Sequence, residues 1–295
     1  MASRKSGSKK STKKSGAAKS NAKPAGNSAS RAADRQITPR KIRHFGWVPD
    51  LPDHRDKMYS APLAHLGTLP TSVDLRPGCP AELYDQGQLG SCTANAIAAA
   101  IEFDQMKQGV GDVFTPSRLF IYYNERVIEH TVNEDAGAMI RDGIKSVNKA
   151  GAPHEKLWPY SDANPGPFSK KPSAAAYTDA RKHPVLLYQR LTQAESQLKG
   201  CLASGYPFVL GITVYESFET EAVAKTGKVP MPKPKEKQLG GHAILAVGYD
   251  DRQRRFTIRN SWGAGWGMKG YFTIPYDYVT DSSLADDFWT IRSVQ

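Results

Sequence analysis

The sequence predicts an α+β fold, because helical patterns come first along the chain and strand patterns follow. Between residues 94 and 149 apolar side chains recur at helical spacing, whereas after about residue 185 short apolar runs of strand length dominate. Helices followed by strands are typical of α+β proteins. A chain of 295 residues holds one sizeable domain, or two lobes that share a cleft, together with a tail.

Three helices are predicted, over residues 94–107, 116–129 and 139–149. The first is rich in alanine and carries little charge before Glu102, which indicates a largely buried helix. The second has proline in its first turn, and the third is ended by Gly151 and Pro153. The later part of the chain predicts five strands, over residues 206–215, 243–249, 255–260, 271–274 and 288–292.

The positive charge of the chain is concentrated at its start. Residues 1–44 carry 13 Lys or Arg and one Asp, a net charge of +12, whereas the rest of the chain is close to neutral at −1. Lys, Ser, Ala and Gly dominate this segment, which predicts a disordered basic tail. Such a tail allows a weak, salt-sensitive contact with nucleic acid or another anionic surface, and a solvated tail without a dedicated partner is the simpler interpretation.

The sequence leaves the location of the protein open. The sequence has no run of about 18 apolar residues, so no membrane span is predicted. The charged N-terminus lacks the apolar core of a signal peptide. Cytoplasmic residence and export by another route both remain compatible with this pattern. Three cysteines, Cys79, Cys92 and Cys201, predict a fold that does not depend on disulfides, although a Cys79–Cys201 bridge stays open.

Residues 45–68 differ in character from the tail. They are punctuated by proline and carry apolar anchors, beginning with Phe45-Gly46-Trp47-Val48-Pro49. This composition predicts an extended segment that lies against the domain. Two interpretations remain open, a surface strap and a short inhibitory pro-segment.

Cys92 is the residue that points most directly to chemistry. It follows Gln86-Gly87-Gln88-Leu89-Gly90-Ser91 and precedes the alanine-rich helix. Unpaired N–H groups and the dipole at a helix N-terminus favour a thiolate, the nucleophilic form of cysteine. The side chain of Gln86 offers a donor that a developing oxyanion requires.

Two further candidates lie far downstream. His242 stands in Gly240-Gly241-His242-Ala243 at the head of an apolar run, and Asn260 precedes Ser261-Trp262-Gly263. Cys92 lies 150 residues before His242 and 168 before Asn260. These separations suit a nucleophile near the start of a domain whose partners lie near its end.

These motifs resemble those of the papain-like cysteine peptidases, in the same order and over residues 69–295. The resemblance implies a helical lobe and a β-barrel-like lobe that flank an active-site cleft. It also implies a Cys92 nucleophile, a His242 acid and base, an Asn260 that orients the imidazole, and a Gln86 that stabilises the oxyanion. The domain order expected is therefore a basic tail over 1–44, a strap or pro-segment over 45–68, and a peptidase domain over 69–295.

The chain departs from the plant and lysosomal members at two positions. Thr93 replaces the usual aromatic residue after the nucleophile, and Leu89 replaces a disulfide cysteine of many secreted members. The segments 120–126 and 157–160 are similar to bacterial-type members. The resemblance places Gly137 beside the backbone of the substrate, and helix entry is an equally good explanation for this glycine.

The sequence predicts substrate preference only in part. Gly241 leaves room in the expected pocket, which predicts a bulky apolar substrate residue, and Trp262 is expected beside His242, where it excludes water. The other histidines fall at no metal-ligand spacing, so neither a metal nor a cofactor is predicted. The function predicted is hydrolysis of peptide or protein substrates through a thioester acyl-enzyme. The alternatives are a catalytically silent scaffold anchored by its basic tail and an acyltransferase that uses the same Cys–His pair.

Overall fold

The structure is a computed structural model that describes residues 41–42, 45–62 and 66–295. Nearly all of the basic tail lies outside the described residues. Its disorder and its contact with an anionic partner therefore stay predictions.

Seven α-helices occur in the described part of the chain. The three predicted helices are confirmed, with ends within two residues of the expected positions. In chain order the helices are α1 Cys92–Gln108, α2 Arg118–Ile128, α3 Ile140–Ala150, α4 Ala174–Ala180, α5 Glu195–Ala203, α6 Glu221–Thr226 and α7 Tyr276–Thr280. Short 3-10 helices cover Arg76–Gly78, Glu155–Leu157, Pro167–Ser169 and Glu216–Glu219.

The described residues contain one antiparallel sheet of seven strands. The five predicted strands are confirmed, and β1 and β2 are additional. The strands are β1 Ser72–Asp74, β2 Val185–Arg190, β3 Phe208–Tyr215, β4 Gln238–Asp250, β5 Arg255–Arg259, β6 Tyr271–Pro275 and β7 Ala285–Val294. The sheet runs in the order β2-β7-β3-β4-β5-β6, and β1 pairs with β4. Its two outer strands are not paired with each other, so the β lobe is an open sheet rather than a closed barrel.

The centre of the sheet is buried on both faces, which explains its continuous apolar sequences. In β4, Ala243, Leu245 and Val247 point to one apolar core, whereas Ile244 and Ala246 point to the other. The first core is completed by α1, which packs against β4 and β7. Since successive strand residues face opposite sides, both cores meet at β4, the strand that carries His242.

Residues 45–61 form an extended strap that connects the two lobes. Trp47 pairs with Ala138, just before α3, and its backbone N–H also donates to the Gly241 carbonyl of β4 over 2.9 Å. Further along, Met58 pairs with Arg190 at the end of β2. The strap therefore crosses from the helical lobe to the sheet.

The three cysteines are free and buried, so the structure has no Cys79–Cys201 bridge. Within the part of the chain that the structure describes, every helix falls short of the length and apolarity needed to span a bilayer.

Candidate active site

Cys92 is the first residue of α1, and hydrogen bonds to two side chains, Asp135 and Tyr160, hold the loop before it. The Gly90 N–H donates to Asp135 Oδ1 over 2.9 Å. Ser91 Oγ lies 2.6 Å from Tyr160 Oη, and Tyr160 Oη also donates to the Gln86 carbonyl over 2.8 Å. These contacts fix the position from which α1 starts, and hence the position of the Cys92 sulfur.

His242 and Asn260 meet because of the antiparallel register of β4 and β5. This register pairs Leu245 with Arg259, so residues just before Leu245 lie beside those just after Arg259. His242 Nε2 lies 2.8 Å from Asn260 Oδ1. Because an amide oxygen only accepts hydrogen bonds, Nε2 carries the proton and Nδ1 is the basic nitrogen of a neutral ring.

Strand β4 also contacts the Cys92 sulfur. Ala243, the residue after His242, donates its backbone N–H to Cys92 Sγ over 3.3 Å. Trp262 stacks on the His242 ring with centroids 5.1 Å apart and is itself buried. The structure therefore brings Cys92, His242 and Asn260 together under a cover that keeps water from the imidazole–amide hydrogen bond.

Gln86 is positioned by the residue that follows Asn260. Its backbone N–H donates to the Ser261 carbonyl over 2.9 Å, and Ser261 Oγ donates to Gln86 Oε1 over 2.7 Å. With Oε1 engaged, Gln86 Nε2 is directed towards the loop and donates to the Leu89 carbonyl over 3.0 Å. An amide nitrogen has two protons, so a second donor remains for a ligand.

The strap passes directly over this group of residues. The backbone N–H of Gly46 lowers the pKa of the Cys92 thiol, as that of Ala243 does, and the Gly46 carbonyl accepts from the Ala138 N–H over 2.7 Å. A Cβ at position 46 would lie 1.7 Å from the Gly90 carbonyl oxygen, and one at Gly137 would lie 2.2 Å from the Gly46 oxygen. Only glycine fits at both positions while the strap is in place.

The indole of Trp47 fills a pocket between β3 and β4. A Cβ at Gly211 would lie 2.0 Å from the ring, and one at Gly241 would lie 2.7 Å from it. The indole N–H donates to Asp287 Oδ2 over 3.0 Å. Two glycines therefore border the indole, and the Asp287 carboxylate accepts from its N–H.

Two buried carboxylates lock the strap to β7. Asp287 Oδ2 also accepts from the Asp50 backbone N–H over 2.7 Å. The Arg190 guanidinium lies between the two side chains. Its Nη2 is 2.7 Å from Asp287 Oδ1, and its Nη1 is 3.1 Å from Asp50 Oδ2. Burial, followed by the charge of Asp50, raises the pKa of Asp287 to about 7, and burial also raises the pKa of Asp50.

The state of the nucleophile differs from the expectation of a stabilised thiolate. Burial raises the pKa of the fully buried Cys92 thiol to about 12, although the N–H groups of Ala243 and Gly46 oppose the shift. The strap covers the loop that leads to Cys92, since Gly46 lies against Gly90. With the strap in place, Cys92 is therefore a neutral thiol.

Two of the three residues predicted to bind substrate lie beside the strap rather than along an open cleft. Gly137 and Gly241 both face it, although the backbone bonds beside the strap are made by Ala138 rather than by Gly137. Trp262 lies inside the β lobe against His242. No sequence motif marks Asp287, which lies 45 residues beyond His242 in an otherwise ordinary strand.

The chain belongs to the papain family of cysteine proteases, whose family model matches residues 69–289. It is 47% identical to xylellain, a cysteine protease from Xylella fastidiosa, with a TM-score of 0.82 over 87% of this chain and 98% of that chain. It is 41% identical to a peptidase C1-like protein of Acanthamoeba polyphaga mimivirus, over 85% of this chain and 88% of that protein. Procathepsin B S9 from Trypanosoma congolense shares the fold at 20% identity, with a TM-score of 0.64 over 79% and 81% of the two chains. The protein is thus a cysteine-type peptidase with a papain-like α+β fold.

Proposed function

We propose that the peptidase activity uses Cys92, His242, Asn260 and Gln86, and proceeds through a thioester acyl-enzyme. The observation that carries this assignment is the 2.8 Å His242–Asn260 hydrogen bond on the strand whose next residue, Ala243, contacts the Cys92 sulfur. This contact supports the proposal that a nucleophile, a base and a group that orients the base act at one place.

In the proposed reaction the Cys92 thiol passes its proton to His242 Nδ1, and the thiolate attacks the scissile carbonyl carbon. The tetrahedral intermediate collapses as the imidazolium protonates the departing amine, which leaves a thioester. His242 then takes a proton from water, whose oxygen attacks the thioester carbonyl, and Cys92 leaves as a thiolate. Asn260 holds the ring so that Nδ1 is the nitrogen that exchanges protons.

Two donors are available for the oxyanion, namely Gln86 Nε2 and the Cys92 backbone N–H at the start of α1. The Ser261–Gln86 hydrogen bond supports this role, because it fixes the amide plane. Loss of one such donor costs roughly 2.7–4 kcal/mol of transition-state stabilisation in other enzymes.

We further assign residues 45–61 as an inhibitory segment of this site. Gly46 lies against Gly90 and Gly137 beside the nucleophile, and Trp47 fills the pocket that a substrate side chain would need. The pocket supports the expectation of a bulky apolar substrate residue. Asp287 adds a preference for a residue with a hydrogen-bond donor at its tip, as Trp47 itself has.

The test is cleavage of a library of fluorogenic peptides by the full chain and by a Trp47→Ala variant, in which the strap is weakened. Cys92→Ala should abolish hydrolysis in both backgrounds, whereas Cys79→Ala and Cys201→Ala are matched controls, since these buried cysteines lie outside the site. Hydrolysis that survives Cys92→Ala would refute the assignment.

Two alternatives are separated by the same assay. Adding an amine nucleophile reveals an acyltransferase if the amide product exceeds the hydrolysis product. A silent scaffold would show no turnover in either background, even though Cys92, His242, Asn260 and Gln86 are all present.

A further inference from the structure

A second cluster of chemically capable side chains lies in the helical lobe, away from Cys92. It consists of His154, just before the Glu155–Leu157 helix, Asp179 at the end of α4, and His183 in the turn before β2. One nitrogen or oxygen atom from each residue lies within 4.8 Å of the others. The sequence separations of 25 and 4 residues follow no metal-binding spacing, which is why the sequence did not indicate this cluster.

The distances are close to those of a metal centre. His154 Nδ1 lies 2.7 Å from Asp179 Oδ2, and His183 Nε2 lies 3.9 Å from Asp179 Oδ1. Ligands held about 2.0–2.1 Å from a tetrahedral Zn²⁺ are about 3.3 Å apart. The two distances go to different oxygens of Asp179. The first must therefore lengthen by about 0.6 Å, and the three ligand atoms, which lie within 4.8 Å of one another, must draw together by up to about 1.5 Å.

The surroundings orient both imidazoles. Asp112 Oδ2 lies 3.1 Å from His154 Nε2, so it holds the ring nitrogen that faces away from Asp179. This arrangement matches the carboxylate–histidine–metal relay that fixes the tautomer of metal-bound histidines. Phe114 packs against both rings, with centroids 4.0 Å from His154 and 4.6 Å from His183.

A competing cation lies near the carboxylate of this cluster. Lys182 approaches Asp179, at 3.6 Å, but its side chain is largely exposed and is free to turn into solvent.

The geometry points to a site for one divalent transition-metal ion of the Zn²⁺ class, held by His154 Nδ1, Asp179 and His183 Nε2. Two imidazoles and a carboxylate suit Zn²⁺ better than Mg²⁺ or Ca²⁺, which prefer oxygen ligands. Bound there, the ion links α4, the turn before β2 and the Glu155–Leu157 helix. Its role is to stabilise this part of the helical lobe, independently of peptide hydrolysis.

The competing explanation is an ion pair without a metal, in which the His154 ring lies between Asp179 and Asp112. The two explanations differ in their response to Zn²⁺. A metal site gains stability when Zn²⁺ is added, whereas an ion pair without a metal site gains none.

The experiment is calorimetric titration of the full-length Cys92→Ala protein with Zn²⁺, together with its thermal unfolding with Zn²⁺ and with a chelator. The Cys92→Ala background removes the reactive thiol as a competing Zn²⁺ ligand. We expect one Zn²⁺ per chain and a higher Tm with Zn²⁺. Adding His183→Ala or Asp179→Asn should abolish both effects, and adding Asp112→Asn should weaken the affinity by roughly 10- to 100-fold.

His130→Ala is the matched control, because His130 is exposed and outside the cluster. It should bind Zn²⁺ like the parent. The near-isosteric Asp179→Asn variant separates loss of a metal ligand from loss of the fold, because its Tm with chelator shows whether the fold is intact. Absence of binding in the parent would overturn the proposal, as would equal binding by the His183→Ala and His130→Ala variants. Co²⁺ absorption typical of thiolate ligands would also overturn it, since it would place the metal at Cys79 or Cys201.

Discussion

Replacement of Trp47 by alanine should convert the strap-covered enzyme into an active one. Trp47 is 9% exposed and donates its indole N–H to Asp287, so the substitution removes both apolar burial and a hydrogen bond. Trp→Ala changes in buried positions typically cost about 3–5 kcal/mol. At 1.36 kcal/mol per tenfold, the equilibrium between the covered and open states shifts about 150- to 5,000-fold towards the open state.

The assay is kcat/KM for a fluorogenic peptide, measured well below saturation. If substrate binds only the open state, its apparent affinity is scaled by the open fraction. We therefore expect kcat/KM to rise with that fraction until most of the protein is open. Leu51→Ala is the control within the strap, because this side chain is 66% exposed, and its effect should stay within about 0.5 kcal/mol. Equal kcat/KM for Trp47→Ala and the unaltered chain would refute inhibition by the strap.

Three further predictions follow from the same contacts. Gly46→Ala should also raise kcat/KM, since the added methyl would lie 1.7 Å from a backbone oxygen and must displace the strap; unchanged activity would count against the position of Gly46 beside Gly90. In the Trp47→Ala background, Asn260→Ala should lower kcat/KM about 10- to 150-fold, because a hydrogen bond to a charged group contributes roughly 1.5–3 kcal/mol. A loss below threefold would argue against the role of Asn260 in orienting His242. Docking of the strap should weaken as pH rises through about 7, because the raised pKa of Asp287 means that the docked state binds its proton more tightly than the open state. Limited proteolysis of the strap in the Cys92→Ala protein reports this change, and Asp287→Asn should flatten the pH dependence; docking that tightens with rising pH would contradict the sign.

The main elements of the domain could be predicted because their patterns depend on local physics. The alanine-rich run of α1 and the apolar run of β4 are buried on all sides, and their sequences show it without reference to the rest of the chain. Cys92, His242 and Asn260 were found because each stands in a distinctive local context.

Other features depend on contacts between distant parts of the chain. The strand β2 was missed because Leu186 and Leu187 are exposed at an edge, so its sequence lacks the alternation of a half-buried strand. The path of the strap could not be predicted either, since Gly46 is informative only beside Gly90 and Gly137. The same holds for His154 and His183, which meet only through the fold of the helical lobe.

The central claim is that Cys92 and His242 form a reactive pair once the strap is displaced. The most direct measurement is the rate at which a small reagent alkylates Cys92 between about pH 4 and 10, located by peptide mass, in Trp47→Ala and in Trp47→Ala/His242→Ala. We expect alkylation of the first variant to be fast and already saturated near pH 5. Removal of the imidazole should shift the curve to about pH 8.5 or above, the range of an ordinary or buried thiol. Superimposable curves for the two variants would contradict the pairing.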